Sequence, residues 1–307
     1  MLYRGMATES ETLRSLTGCI VGRLESKRQV AMKPLLLLIV MVLLGISGAL
    51  AQDESMLAET ARAPAETRAG EHEFVFMRGK YVNYQTGVSS GYRDFRNRAW
   101  WQTDFDGADR NLLRALRRYT SIDTSSESFK VLSLTDPELF ENPFLYINMK
   151  RVPLYSGNGP NFSGPEAAAL REYMLRGGFV MVDDFWGPEH WQDFLVELAK
   201  IFPERKPQKL ALSHPIFHCF FDIDEITQVP GRGVTWNFGW GFSLDNADYP
   251  TSVHGLFDDE NRLMMVVNFN TDLGDGLEHT FDQFYPTRYC NEAYKLVINY
   301  IIHAMSH

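Results

Sequence analysis

The stretch RGGFVMVDDFWG, at Arg176–Gly187, decides the fold that this chain adopts. Its two glycines stop a helix, because glycine adopts the backbone conformations that end helices. The run Phe179–Val182 is apolar throughout, which is typical of a strand buried on both faces of a sheet. Asp183 and Asp184 follow at the strand end, where sheets of this kind carry their ligand-binding crevices.

Apolar strands alternate with amphipathic helices on both sides of this stretch. The predicted strands are Glu73–Arg78, Phe129–Leu134, Phe144–Met149, Phe179–Val182, Lys209–Leu212 and Leu263–Phe269. The predicted helices are Asp106–Tyr119, a Ser163-capped helix that runs to Arg176, a helix from Pro188 that ends before Pro203, and Tyr289–Met305. This alternation predicts one α/β domain over residues 72–307, a three-layer sandwich with a mostly parallel central sheet.

The N-terminal part has the composition of a targeting segment. Lys33, the apolar run Pro34–Ile46 and the small-residue end Ala49–Ala51 predict a signal peptide over residues 32–51, cleaved before Gln52. A single N-terminal membrane anchor is the alternative, since about eighteen apolar residues are near the lower limit for a span. We interpret residues 1–31 as a mis-started or extended leader, and residues 52–71 as a flexible linker.

Charge and cysteine content narrow the function classes. The net charge is −9, so nucleic acid is not an expected partner. Behind the predicted signal peptide only Cys219 and Cys290 remain, and they either pair in an oxidising compartment or stay as free thiols. The chain has neither a phosphate-cradling glycine motif nor a zinc-type Cys/His cluster, so we expect no cofactor and no metal. Asn270–Glu278 has the composition of a calcium loop, but its spacing is not that of an EF-hand, and a glycine-rich turn is expected.

Several segments together resemble a bacterial family known as domain of unknown function 4159. They are LTDPELFENPFLYI (Leu134–Ile147), LREYMLRGGFVMVDDFWG (Leu170–Gly187), IFPER (Ile201–Arg205) and LSHPIFHCFFDI (Leu212–Ile223). The resemblance extends from about Glu73 to the C-terminus and implies a class I glutamine-amidotransferase-like fold, which is a flavodoxin-like α/β sandwich. It implies no established activity.

The resemblance also identifies where a nucleophile would stand. Amidotransferase-like enzymes carry a Cys on the tight turn after a central strand, and Val182–Gly187 is the matching segment here. That segment contains neither Cys nor Ser, so thiolate chemistry is not expected. A GxSxG elbow is also absent from the sequence, which argues against an α/β-hydrolase.

The strand end supplies the first candidate site residues, Asp183 and Asp184 with Phe185 and Trp186. Adjacent strand residues point to opposite faces, so the two carboxylates are expected to have different roles. One of them can serve as a general base, a metal ligand or a hydrogen-bond acceptor in the crevice. The alternative is that one caps the helix beginning at Pro188 and the other bonds nearby backbone N–H groups.

Two histidines form the second candidate. His214, His218 and Asp222 would share one face of a helix and form a metal triad, but Pro215 places His214 at a helix cap. The segment therefore favours a turn with buried histidines bonded to backbone.

An aromatic and acidic segment forms the third candidate. Trp100, Trp101, Asp104 and Asp106 precede the first helix, either as a staple and cap or as a lip over the crevice. Exposed tryptophans beside carboxylates are a common way to bind sugars, and Trp236 and Trp240 also fall in loops.

These patterns favour a non-catalytic, periplasmic or secreted envelope module that binds a small ligand, such as a sugar, or an envelope protein partner. The alternative is a hydrolase, acting on carbohydrate, that uses Asp183 or Asp184 with His214 or His218. A membrane-tethered subunit of an envelope complex is a third hypothesis, which requires that the signal segment stay uncleaved. Convergence of a strand-end Asp and a His in one pocket would favour the hydrolase.

Overall fold

The computed structural model describes residues 72–81, 100–149, 160–232 and 249–307. The predicted leader, signal peptide and linker lie outside these residues, as do Trp236 and Trp240. The strands are β1 (Phe76–Lys80), β2 (Phe129–Ser133), β3 (Phe144–Asn148), β4 (Phe179–Phe185), β5 (Gln208–Lys209), β6 (Ser252–Phe257) and β7 (Leu263–Phe269). The α-helices are α1 (Gly107–Tyr119), α2 (Gly164–Leu175), α3 (Gly187–Ile201), α4 (Leu273–Glu278) and α5 (Thr287–Ser306). Short 3-10 helices occupy Trp100–Gln102, Pro137–Glu141 and Pro215–Phe217.

The seven strands form one sheet in the order β2-β1-β3-β4-β7-β6-β5. Pairing is parallel from β2 through β1, β3 and β4 to β7, and antiparallel from β7 through β6 to β5. The chain places β2 outside β1 and then returns to place β3 on the other side of β1. In open α/β sheets such a reversal creates a crevice at the carboxyl ends of the strands. We call the end of the sheet where β1, β3, β4 and β7 finish the carboxyl edge, and the opposite end the amino edge.

Helices cover both faces of the sheet because side chains alternate along the buried strands. On β4, Phe179 and Met181 pack with α1 and α5, whereas Val180 and Val182 pack with α2 and α3. The predicted α/β sandwich with a mostly parallel sheet is therefore confirmed. Within the part of the chain that the structure describes, no helix is both long and apolar enough to cross a membrane.

Local sequence patterns predicted most elements correctly. The exceptions are the C-terminal end of β4, strand β6 and helix α4. The predicted capping box is present, with the Ser163 hydroxyl accepting from the Glu166 backbone and the Glu166 carboxylate accepting from the Ser163 backbone. Strand β4 continues past Val182 to include both aspartates. Strand β6 was not predicted, because a histidine and a glycine interrupt its apolar run. The expected glycine-rich turn after β7 is instead the short helix α4.

Candidate functional site

The last residues of β4 depart from regular strand geometry. Asp184 has a φ of 63°, and the register against β7 shifts between Val182 and Phe185. A positive φ is uncommon for residues other than glycine, although Asp and Asn tolerate it better than most. Asp183 and Asp184 are both fully buried at this irregular strand end.

Asp183 points toward the face that α4 covers. Its Oδ2 accepts a hydrogen bond from the Gly274 backbone at 3.0 Å. Its Oδ1 has no hydrogen-bond partner among the described residues. Burial and then the neighbouring charge of Asp184 raise the pKa of Asp183 well above its usual value, while nearby backbone N–H groups partly oppose the rise. Asp183 therefore combines a perturbed carboxyl group with an unused buried oxygen.

Asp184 has a different set of partners, as the alternation of strand side chains predicts. Its Oδ2 accepts from Asn148 Nδ2, and its Oδ1 accepts from Trp186 Nε1, both at 3.2 Å. The interpretation that one of the two aspartates caps the following helix is wrong. Trp186 is the N-cap of α3 and no side chain caps the helix there, while the Trp186 backbone donates to His190 Nδ1 at 3.0 Å.

Three further carboxylates meet beside the N-terminal turn of α4. One ligand oxygen each from Asp104, Asp272 and Asp275 lies within 4.8 Å of the others, and all three residues are buried. A Cβ at Gly274 would lie 2.0 Å from Asp104 Oδ2, so glycine is required for this approach. Asp272 Oδ1 accepts from the Asp275 backbone at 2.8 Å, and Asp275 Oδ2 accepts from the Arg232 backbone.

Tyr146, on β3, connects the two groups of carboxylates. Burial raises its pKa well above the usual value, and so do the charges of Asp183, Asp104 and Asp272, against an opposing effect of Arg78. These carboxylates therefore surround one phenol. Its hydroxyl accepts from Asn148 Nδ2 at 3.3 Å, which links it to Asp184.

Arg78, on β1, supplies a buried positive charge at this edge. Its Nε and Nη2 donate to the two oxygens of Asp109 at 3.0 and 2.7 Å, and its Nη1 donates to the Thr103 carbonyl at 2.9 Å. The guanidinium stacks 4.6 Å from the Tyr146 ring centroid. Burial opposes the charged form, but the bidentate contact with Asp109 raises the pKa of Arg78 above its usual value. Arg78 thus fixes the loop that carries Asp104.

The predicted histidines lie at the other end of the sheet. The His214 ring packs 6.1 Å from Phe257, whose strand partner Leu263 begins β7. His214 accepts from the Ile216 backbone as the cap of its 3-10 helix, as Pro215 predicts. His218 bonds Asp222 at 3.1 Å and the Leu212 carbonyl at 2.7 Å. The helical triad therefore does not form, and His218 is exposed, not buried as expected.

Of the predicted aromatics, Phe185, Trp100 and Trp101 pack in the interior, whereas Trp186 is partly exposed. Phe185 stacks on Phe194, with ring centroids 5.6 Å apart, on the face away from Asp183. Trp100 and Trp101 are only 8% and 9% exposed, so neither forms an open lip. Asp106 precedes α1 but makes no side-chain cap.

The sequence left open whether Cys219 and Cys290 form a disulfide, and in the structure both are free thiols. Cys219 donates to the Asn299 carbonyl at 3.3 Å. Burial raises the pKa of Cys290 to about 11, which keeps this thiol protonated and unreactive at neutral pH.

Several members of the site were not predicted from the sequence. Asn148 carried the same signal as Asp183, a polar residue at the end of an apolar strand. Arg78 interrupts an apolar strand in the same way. Asp272 and Asp275 lie in the segment with calcium-loop composition, which was expected to be a turn because its spacing is not that of an EF-hand.

The fold and this edge define a class of protein: a three-layer α/β domain with a buried acidic site at the carboxyl edge of a mostly parallel sheet. The model of the family described as domain of unknown function (DUF4159) matches residues 82–305, and the chain belongs to that family. A search of curated proteins found no match. The amidotransferase-like relationship implied by the resemblance stays a prediction.

Proposed function

We propose that the protein is an exported, non-catalytic module that binds a small ligand at the carboxyl edge of its sheet. The observation that carries this proposal is a pair of buried polar atoms at that edge. Asp183 Oδ1 and Tyr81 Oη have no hydrogen-bond partner among the described residues, although both side chains are essentially inaccessible. Export rests on the predicted signal peptide alone.

Unsatisfied buried polar atoms are unusual and costly in a native structure. Each costs about 1–3 kcal/mol unless a partner is supplied, and such atoms frequently mark functional sites. Tyr81 lies close enough to Asp184 for that carboxylate, after burial, to raise the pKa of the phenol above its usual value. One of the two atoms therefore belongs to a strand-end carboxylate and the other lies near one, and a ligand bound at this edge would supply the missing partners.

The chemistry of the edge limits the class of ligand. Carboxylates only accept hydrogen bonds when they are ionised, so a matching ligand is cationic or rich in donors. Sugar hydroxyls meet the second condition, but ring stacking requires an accessible aromatic face. Trp100 and Trp101 are too deeply buried for that. Trp186 is partly exposed, but its Nε1 is already bonded to Asp184, so we consider a cationic ligand the better fit.

The geometry does not favour the hydrolase hypothesis. Catalysis by a strand-end Asp with His214 or His218 requires that they converge, and about four strand residues, roughly 13 Å, separate the two edges of the sheet. His190 is the histidine nearest Asp184 along the chain, and its Nδ1 already accepts from the Trp186 backbone.

A thermal-shift screen of the full chain tests the proposal. Divalent metals, amines and sugars are added singly, and we expect at least one to raise the Tm. Asp184→Asn should reduce that shift, because it removes charge from the strand end. Asp224→Asn, the same change on an exposed carboxylate, should leave it intact. A screen without any shift, or shifts that Asp184→Asn leaves unchanged, would reject this site. Asp184-dependent turnover of a glycoside would instead establish the hydrolase.

A further inference from the structure

The carboxylates beside α4 have the spacing of a cation site. We use the name acidic strand-end site for Asp104, Asp183, Asp272 and Asp275. Ca²⁺ binds oxygen at about 2.3–2.6 Å and Mg²⁺ at about 2.0–2.1 Å, so two oxygens on one ion lie at most about 5 Å apart for Ca²⁺ and about 4 Å apart for Mg²⁺. The ligand oxygens of Asp104, Asp272 and Asp275 lie within the Ca²⁺ limit, at no more than 4.8 Å from one another, and Mg²⁺ would draw them closer together.

Asp183 provides an independent indication of a ligand. Its Oδ2 is held by the Gly274 backbone, and Gly274 lies directly against Asp104 Oδ2. Asp183 and Asp104 therefore approach the same glycine, and the charges of both act on the Tyr146 phenol. A buried carboxylate oxygen without a donor needs either a proton or a cation.

Among the described residues, the two arginines beside the site pair with acids outside it, and His279 is shared between Asp275 and Glu278. The Arg78 guanidinium is bidentate on Asp109, and the Arg232 side chain bonds Asp282 at 2.6–2.7 Å. His279 Nε2 lies 3.4 Å from Asp275 and 3.3 Å from Glu278. Several carboxylates held in a water-poor interior repel one another, and a dication would offset that repulsion.

We propose that the acidic strand-end site binds a hard divalent cation, Ca²⁺ or Mg²⁺, through Asp104, Asp272 and Asp275, and that Asp183 Oδ1 turns toward the bound ion to complete the oxygen shell. This inference rests on the proposed ligand-binding function and names its ligand class. An all-carboxylate set selects hard cations over zinc or copper. The expectation of no metal rested on motifs within contiguous loops, whereas these ligands come from three separate segments.

A second acidic group provides a matched control. Asp275, Glu278 and His279 also come within 4.8 Å of one another, but Glu278 and His279 are only partly buried. That group includes an imidazole, which suits transition metals better than Ca²⁺ or Mg²⁺. An ion bound by that second group would also leave Asp183 Oδ1 buried without a partner among the described residues.

Isothermal titration calorimetry on the chelator-treated full chain tests the inference, with Ca²⁺ and Mg²⁺ in separate arms. Asp104→Asn keeps the shape of the side chain, and Asn tolerates the positive φ of this position. We expect Asp104→Asn and Asp183→Asn to weaken binding at least about tenfold, since even outer partners of metal sites commonly contribute that much. Both variants should keep or raise the Tm of the cation-free protein, because each removes a repelling charge. Glu278→Gln should bind like the wild type.

Two results would overturn the inference. One is that neither cation binds at millimolar concentration. The other is that Glu278→Gln loses binding while Asp104→Asn keeps it, which would move the ion to the second group. If cations fail but an amine or sugar gives an Asp184-dependent thermal shift, the proposed function stands and only the cation inference falls.

Discussion

The two edges of the central sheet both bury titratable side chains, mainly carboxylates at the carboxyl edge and histidine at the amino edge. The carboxyl edge holds the acidic strand-end site and Asp184. The amino edge holds His303, whose ring packs 5.5 Å from Phe179 at the start of β4, with His214 close by. Both edges belong to the same strands, so the difference between them arises from the loops and helices that join the strands at each end.

The two edges relieve their buried charges in different ways. Burial, together with smaller effects of His307, His214 and Arg262, lowers the pKa of His303 to about 4, so the ring is neutral at pH 7. A neutral imidazole then packs edge-to-face against Phe179, with its Nε2 buried and without a hydrogen-bond partner among the described residues. At the carboxyl edge, protonation of Asp183 alone would not remove the electrostatic repulsion, because the neighbouring carboxylates would stay charged.

Backbone geometry separates the edges as well. Asp104, Asp184 and Asn270 adopt φ values of 62–63° at the carboxyl edge. On the amino side the comparable residue is Asn261, in the exposed turn between β6 and β7. Unfavourable backbone conformations inside a buried region tend to mark functional sites, because the surrounding structure must maintain them. The carboxyl edge is therefore organised for a ligand, and the amino edge for packing.

The largest expected effect comes from removing the buried guanidinium of Arg78 at the carboxyl edge. Arg78→Met leaves Asp109 buried without a counter-charge, and we expect a loss of about 3–5 kcal/mol in the free energy of unfolding. Urea denaturation measures it. The double variant Arg78→Met/Asp109→Leu should recover most of the loss, since it leaves no lone charge. A single-variant loss below about 1 kcal/mol would show that the pair is not needed there.

A smaller effect tests the close approach of α4 to Asp104. Gly274→Ala places a methyl group in contact with the Asp104 carboxylate and should destabilise the protein by about 1–3 kcal/mol. Gly164→Ala is the matched control, because a Cβ there meets nothing within 4 Å. It should be neutral or stabilising by up to about 1 kcal/mol. Equal effects at the two glycines would contradict the crowded geometry.

The smallest expected effect concerns pH at the amino edge. The pKa of His303 is about 4 in the folded protein and about 6.5 when unfolded, so the unfolded state binds more protons between these values. The full difference corresponds to about 3 kcal/mol. Screening by solvent reduces the effect, so stability should fall by about 1–2 kcal/mol as the pH drops from 6.5 to 4, and level off below. His303→Phe, with a ring that does not titrate, should show a flatter profile in urea denaturation at several pH values.

His218 supplies a control of opposite sign. The Leu212 carbonyl and then Asp222 raise its pKa, so any stability it contributes is present below pH 6.5 and is lost as the pH rises. His218→Gln should therefore leave the acid-side slope of the wild type in place. If His303→Phe does not flatten that slope, His303 is not the neutral buried ring described above.

The fold was largely predictable from local patterns. Leu263–Phe269 coincides with β7, and the Ser163–Glu166 box begins α2, because apolar periodicity and capping act over a few residues. β6 was missed because its stability comes from pairing with β7, a non-local interaction that its own composition does not show.

The candidate site was predictable only in part. Asp183 and Asp184 stood out because polar residues at the end of an apolar strand are conspicuous. Their partners come from β3, from the loop before α1 and from α4, and only the strand order brings these segments together. The histidines were grouped with the aspartates on chemical type alone, and the sheet keeps them apart.

Anomalous diffraction from crystals soaked in Mn²⁺ tests the central claim most directly, because Mn²⁺ shares the oxygen preference of Ca²⁺ and Mg²⁺. We predict a single strong peak enclosed by Asp104, Asp272 and Asp275, with Asp183 Oδ1 turned toward it. A peak confined to Glu278 and His279, or no peak at the carboxyl edge, would contradict the account.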